Sequence, residues 1–209
     1  MYIPKHNQIH DVATCVSFMQ MNIFATVISL LDGALFASHL PLLTTVRDEQ
    51  VIITGHFAKA NPHWHAFEAA PASCLVIFTG PHAFVSPSTY TLNHGIPTWN
   101  YVAVHVSGRV RISHDEADKR AMLHALHGAN EPANEAAFAA QLNTFQRSQL
   151  DGIVWFEVDV DKIEGKEKLS QNHTIENQHR AGIALSGSAD PSVAEIGRLM
   201  QSSSKARRR

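Results

Sequence analysis

The order of apolar and polar positions predicts a β framework with helices added to it. Residues 10–20 set Val12, Val16 and Met19 at helical spacing, with Asp11 placed to cap the start. The apolar run over 23–31 breaks at Asp32-Gly33 and resumes over 34–43, and Asp-Gly between two such runs predicts a hairpin. Residues 51–54, Val-Ile-Ile-Thr, read as a third and buried strand, and 62–70 as a short helix. Residues 74–79 and 82–85 are expected to pair around Gly80-Pro81. A long strand is expected over 97–112. There Val102, Val104 and Val106 share a face, and Gly108 marks a bulge or a close approach. Helices are predicted over 115–127 and 134–142, as a hairpin around Pro132. Over 153–160, Val154, Phe156, Val158 and Val160 alternate with Trp155, Glu157 and Asp159, the pattern of a half-buried strand. After a polar stretch at 162–172 come helices over 174–185 and 191–200, with a linker at 187–190 between them. Six or seven strands that begin as a hairpin meander predict an antiparallel barrel. A doubly wound parallel sheet is disfavoured, because strands do not alternate with helices and no GxGxxG follows a strand.

Composition narrows this picture. The chain has 209 residues, 44% hydrophobic and 17% charged, enough to bury a core of its own. The net charge of -2 argues against a stand-alone DNA-binding module. The basic excess sits in Lys205-Ala206-Arg207-Arg208-Arg209, which reads as a solvated, disordered tail, with a nucleic-acid contact as the alternative. Cys15 and Cys74 lie far apart within apolar sequence and read as buried free thiols. No apolar run approaches the ~20 residues of a membrane span, and the first residues lack a signal-peptide pattern, so a cytoplasmic protein is expected. The fourteen histidines are scattered; His56, His63 and His65 are the closest group. With no HExxH and no tight Cys/His spacing, no dedicated metal site is expected.

Three polar islands could carry chemistry. The first is Gly55-His56-Phe57-Ala58-Lys59-Ala60-Asn61-Pro62-His63-Trp64, with Thr54 before it. Lys59 offers a point charge for a phosphate, and Thr54 and Asn61 offer hydrogen bonds. The second is Pro97-Thr98-Trp99-Asn100-Tyr101, aromatic surface beside an amide. The third is Lys168-Leu169-Ser170-Gln171-Asn172, whose amides can read the polar edge of a heterocycle. Taken singly, each also reads as a polar loop or an aromatic anchor at a barrel rim. There is no GxSxG, no catalytic-cysteine context and no pair of catalytic carboxylates, so any chemistry would come from a cofactor.

Together the islands resemble the PaiB family of FMN-binding negative transcriptional regulators. The matching pieces also include Met1-Tyr2-Ile3-Pro4-Lys5-His6, Val85-Ser86-Pro87-Ser88 and Val102-Ala103-Val104-His105, all in family order. The resemblance implies a mainly β fold with added helices, an antiparallel FMN-binding split β-barrel that forms a homodimer with flavins at the subunit interface. It implies such a domain over 1–185, with a C-terminal helix and basic tail over 186–209. It further implies that Ser38, His39 and Leu40 run beside the flavin ring. Thr54, His56, Lys59 and Asn61 would hold its phosphate, while Trp99, Asn100, Lys168, Gln171 and Asn172 of the partner subunit would close over the ring. The chain departs from the family pattern at Thr89 and Ser107, where aromatics are usual, and at His173, where a basic residue is usual. Two other functions share the fold: a flavin-dependent oxidoreductase using NAD(P)H on a small molecule, and a haem-binding split-barrel protein.

Overall fold

The computed structural model describes residues 1–68, 72–90, 96–144 and 147–207. Its strands are β1 (Gln8–Ile9), β2 (Phe24–Leu31), β3 (Ala34–Pro41), β4 (Leu43–Arg47), β5 (Gln50–Ala58), β6 (Ala72–Val85), β7 (Thr98–Ser113) and β8 (Ile153–Lys168). Its helices are α1 (Val12–Met21), α2 (Glu116–Asn130), α3 (Glu135–Asn143), α4 (Arg147–Leu150), α5 (Ile175–Ser186) and α6 (Pro191–Ala206), with a 3-10 turn over Pro62–Phe67. The strands form one sheet in the order β3-β2-β6-β7-β8-β5-β4, and β1 pairs with β8. The β2–β3, β2–β6, β4–β5, β5–β8 and β1–β8 pairings are antiparallel.

Local chemistry explains the elements. Asp11 accepts from the Ala13 and Thr14 amides and so caps α1. Asp32 and Gly33 both take positive φ, as a tight hairpin turn between β2 and β3 requires. Gly108 is a close approach: a Cβ there would collide with the Asp159 carbonyl.

The structure corrects the sequence at five places. Residues 74–85 are not a hairpin, since β6 runs unbroken through Gly80-Pro81. The β2 ladder on β6 covers only Leu75–Ile77, so Pro81's missing N–H interrupts no bond to β2. A strand absent from the sequence reading, β4, follows Pro41 and turns into β5 through Asp48 and Glu49, both at positive φ without a glycine. β8 runs on to Lys168, so most of the polar stretch is strand. The last helix runs on to Ala206 rather than ending at Met200. The expected helix over 62–70 is a 3-10 turn as far as Phe67, and its end at Ala70 lies outside the described residues.

The chain divides into two compact units. One takes in residues 16–78 and 105–163, with a core that includes Met19, Val27, Leu42, Ile53, Phe57, Phe67, Val106, Phe156 and Val158. Phe57 stacks on Phe156 at 4.5 Å and on Phe67 at 6.1 Å. Cys74 is a buried free thiol in this unit, and burial pushes its pKa up to about 12. The other unit takes in residues 1–15, 79–104 and 164–209. Its core joins Ala83, Val85, Tyr90, Leu169, Ala181, Ile196 and Met200. Here α5 and α6 pack on each other, and Gly197 lies so close to the Ser186 backbone that no side chain fits. The C-terminal helix α6 thus packs on α5 within this unit.

Candidate functional site

In the unit of 16–78 and 105–163, β5 carries the first island. Register places Thr54 beside Leu43 of β4 and Glu157 of β8, and His56 beside Trp155. Between this face and α2 lies a cavity of about 320 Å³, lined by Arg47, Thr54, Arg111, Trp155, Glu157 and Met122 among others. The Glu157 carboxylate is buried and accepts from both guanidiniums, Arg47 Nη2 at 2.9 Å and Arg111 Nη2 at 2.5 Å. Arg111 also lies over the Trp155 ring at 5.0 Å. Thr54 is 9% exposed, yet its hydroxyl has no partner among the described residues. His56 Nδ1 is fully buried without a partner, and burial holds this imidazole below its ordinary pKa, in the neutral form. Buried polar atoms without partners are rare and call for a ligand or a water.

The other face of the same turn is closed. Ser38 Oγ lies 2.9 Å from His63 Nδ1 and accepts from Asn61 Nδ2 at 2.9 Å. His63 Nε2 lies 2.9 Å from Ser29 Oγ, and the His63 amide donates to Asn61 Oδ1 at 3.0 Å. The His63 ring is packed by Phe36, Phe57 and Phe67. Ser38 and Asn61 therefore spend their polar groups on one another and on His63. Trp64 is buried too, and its indole N–H donates to the Lys59 carbonyl at 3.0 Å, so it braces the turn rather than offering a plate. The Lys59 amide is fixed by the Gly152 carbonyl at 2.8 Å, while its exposed ammonium has no partner among the described residues. His39 is exposed and bonds Thr26 Oγ1 at 3.0 Å; Leu40 is half-buried on β3.

Thr54 and His56 lie on β5, and Lys59 follows the end of that strand at Ala58.

The second and third islands lie in the unit of 1–15, 79–104 and 164–209. Trp99 is 50% exposed, beside Phe84 at 6.2 Å and His82 at 5.7 Å. Asn100 is fully buried: its Nδ2 donates to Ser170 Oγ at 3.0 Å and lies 3.4 Å from Met200 Sδ, while its Oδ1 has no partner. The Lys168 ammonium donates to Thr98 Oγ1 and to the Trp99 carbonyl, and burial lowers its pKa. Gln171 is spent within its own turn, on the Leu169 amide and the Glu167 carbonyl, each at 2.6 Å. Asn172 is exposed and lines a cavity of about 500 Å³ with His6, Thr98, Lys168 and His173. Gln171 thus braces the island, Asn100 braces it through Nδ2 and keeps a buried Oδ1 without a partner, and Trp99 and Asn172 are its free faces. At the departures, Thr89 Oγ1 closes a turn on the Ser86 carbonyl at 2.7 Å, and His173 stacks on Tyr90 at 4.3 Å.

The expected disordered tail is ordered as far as it is described. Lys205 lies within α6, and Arg207 donates to Gln178 Oε1 at 2.7 Å. Arg208 and Arg209 lie outside the described residues. The sequence reading also missed Arg47, Arg111, Glu157 and His63. Glu157 had a signal, its place beside Trp155 on the polar side of an alternating strand. The arginines lie 110 and 46 residues from it and gave none. No helix among the described residues is long and apolar enough to cross a membrane.

A family described as "Putative FMN-binding domain" matches residues 1–162. The chain is 34% identical over 202 residues to the protease synthase and sporulation protein PAI 2 of Bacillus subtilis (strain 168), covering 96% of this chain and 97% of that one. Among solved structures it resembles the flavocytochrome Anf3 from Azotobacter vinelandii, with a TM-score of 0.62 and 15% identity over 80% of this chain and 72% of that one. It also resembles the FAD and heme binding protein from Mycobacterium smegmatis, with a TM-score of 0.60 and 19% identity over 78% and 73%. At these identities the two structures speak for the split-barrel fold alone.

Proposed function

The chain belongs to this FMN-binding family, the family of the sporulation protein PAI 2, and from that premise we propose that it is a homodimeric flavoprotein of the PaiB regulator type. FMN brings a phosphate dianion, a hydroxylated chain and a flat ring with a polar edge. One observation carries the placement: Thr54 and His56 on β5, and Lys59 just beyond its end, offer polar groups that no described residue satisfies. Lys59 is a free cation on a backbone held by its amide and its carbonyl, which suits the phosphate end. Neutral His56 and Thr54 suit the hydroxylated chain and the ring edge. Ser38 and Asn61 hold the turn from behind and do not reach the ligand.

In this reading a second copy supplies Trp99, Lys168 and Asn172 over the ring. The half-exposed Trp99 beside Phe84 is the surface that such a copy would cover. When bound, FMN supplies reversible electron transfer.

Absorbance spectroscopy of the purified protein, followed by FMN titration, tests the reading. A visible flavin band, or uptake of added FMN with its fluorescence quenched, is expected, in a particle of twice the chain mass by light scattering. A colourless protein that leaves added FMN free would overturn it, and a Soret band would move it to haem.

A further inference from the structure

The hydrogen bonds around His63 form a chain that links its backbone and both ring nitrogens to Asn61, Ser38 and Ser29. The His63 amide donates to Asn61 Oδ1, which turns the Asn61 NH₂ toward Ser38 Oγ. Ser38 Oγ lies 2.9 Å from His63 Nδ1 and Ser29 Oγ 2.9 Å from Nε2, so the neutral ring donates to one serine and accepts from the other. Asn61 is therefore clamped twice by one residue, through the backbone of His63 and through its ring by way of Ser38. Asn61 begins the 3-10 turn, and its amide closes on the Ala58 carbonyl at 2.9 Å across Lys59. The shape of the Lys59 turn is thus set from inside the core.

We propose that His63 is the positioning residue that holds the Lys59–Asn61 turn in its flavin-gripping form, and that protonation of His63 releases the turn and the flavin. This inference rests on the reading of Lys59 as the phosphate contact. An imidazolium would donate from both nitrogens. Ser38 and Ser29 would then both accept from the ring, and the serine hydroxyl that had donated to it would lose its acceptor. The charge would lie in a cage of Phe36, Phe57 and Phe67, where nothing answers it.

The charged neighbours are few. β2 carries no titratable group. β3 carries only His39, which is exposed and bonds Thr26, and β5 carries only His56, on the face opposite Phe57. On its own turn, His65 pairs outward with Glu68. Burial lowers the His63 pKa below the ordinary value of about 6.5. The held form binds fewer protons than the released form, so the grip is complete above about pH 6.5 and is lost as the pH falls below it.

FMN affinity is measured by fluorescence quenching from about pH 8 to about pH 5, with far-UV circular dichroism confirming the fold. Hydrogen exchange of the segment 58–64, corrected for intrinsic rate, is followed in the flavin-free protein over the same range. In wild type the affinity should fall with decreasing pH toward a slope of about tenfold per unit, and the segment should open in parallel. His63→Asn should flatten both profiles. Ser38→Ala, a smaller change, should weaken binding at neutral pH and shorten the acid fall. A wild-type affinity independent of pH would overturn the inference, as would an acid fall that survives in His63→Asn or vanishes instead in His39→Asn. A segment that opens with acid in a protein that binds no FMN at any pH would overturn the flavin reading and leave the clamp standing.

Discussion

The two faces of β5 are built from neighbouring residues and do opposite work. Ile53, Gly55 and Phe57 face Val158, Phe156 and Val154 in register, and all are buried. Thr54 and His56 face Glu157 and Trp155, and they keep a hydroxyl and a ring nitrogen without partners. A strand alternates sides at each residue, so one stretch can anchor a core and furnish a site with no loop between them. The inner face is satisfied and tightly packed; the outer face is buried enough to be rigid but is left chemically incomplete. Stability belongs to the first and binding to the second, and substitutions one residue apart should separate them.

The largest effect is expected on the inner face. Phe57 stacks on Phe156 and Phe67, meets the His63 ring at a tilt and has no exposed surface. Phe57→Ala should cost about 3–5 kcal/mol, as for other buried aromatic truncations, read as a lower urea midpoint at an unchanged slope. A loss under about 1 kcal/mol would mean that this face is not the anchor of the core.

Much of that division was legible in the sequence. Alternation over 153–160 put Trp155 and Glu157 opposite Val154 and Phe156, as the structure does, and Asp-Gly at 32–33 placed the first hairpin. The island from Gly55 to Trp64 was visible as polar material at a strand end. What could not be read was which polar groups were spent. Asn61 and Ser38 look like donors to a ligand until His63 is brought between them by residues 25 and 34 positions away. The turn at Asp48-Glu49 carries no glycine and so hid β4, and with it Arg47. Gly80-Pro81 misled in the other direction, because a turn signal is local and β6 lies beyond its β2 partner there.

An intermediate effect is expected where the outer face is buried but satisfied. Glu157 holds Arg47 and Arg111, both about half exposed, on a carboxylate that water scarcely reaches. Glu157→Ala leaves the two guanidiniums facing each other without a counter-ion. A loss of about 1–3 kcal/mol is expected, below the full value for a buried pair because solvent screens both arginines. Adding Arg47→Ala to that variant should recover part of the loss, a coupling that a double-mutant cycle in urea would read. Strict additivity would show that the triad is three separate surface charges.

The smallest stability effect, and the sharpest test of the contrast, comes from the incomplete groups. Lys59→Ala removes an exposed ammonium, and Thr54→Val a hydroxyl, that have no partner among the described residues. Each should leave stability within about 0.5 kcal/mol of wild type. Neither should be silent toward FMN. Lys59→Ala should weaken binding about tenfold, or about 1.4 kcal/mol, and should flatten the fall of affinity with added salt, because the exposed charge that salt screens is gone. Thr54→Val should weaken binding less and leave the salt dependence as in wild type, since a hydroxyl carries no charge. The two variants thus assign the ends of the ligand. If Lys59→Ala binds FMN as wild type does while Arg47→Ala or Arg111→Ala loses it, the phosphate lies in the cavity beneath α2 and the ligand runs the other way. The faces of β5 would keep their division of labour, with the charged end of the ligand moved from the turn to the sheet.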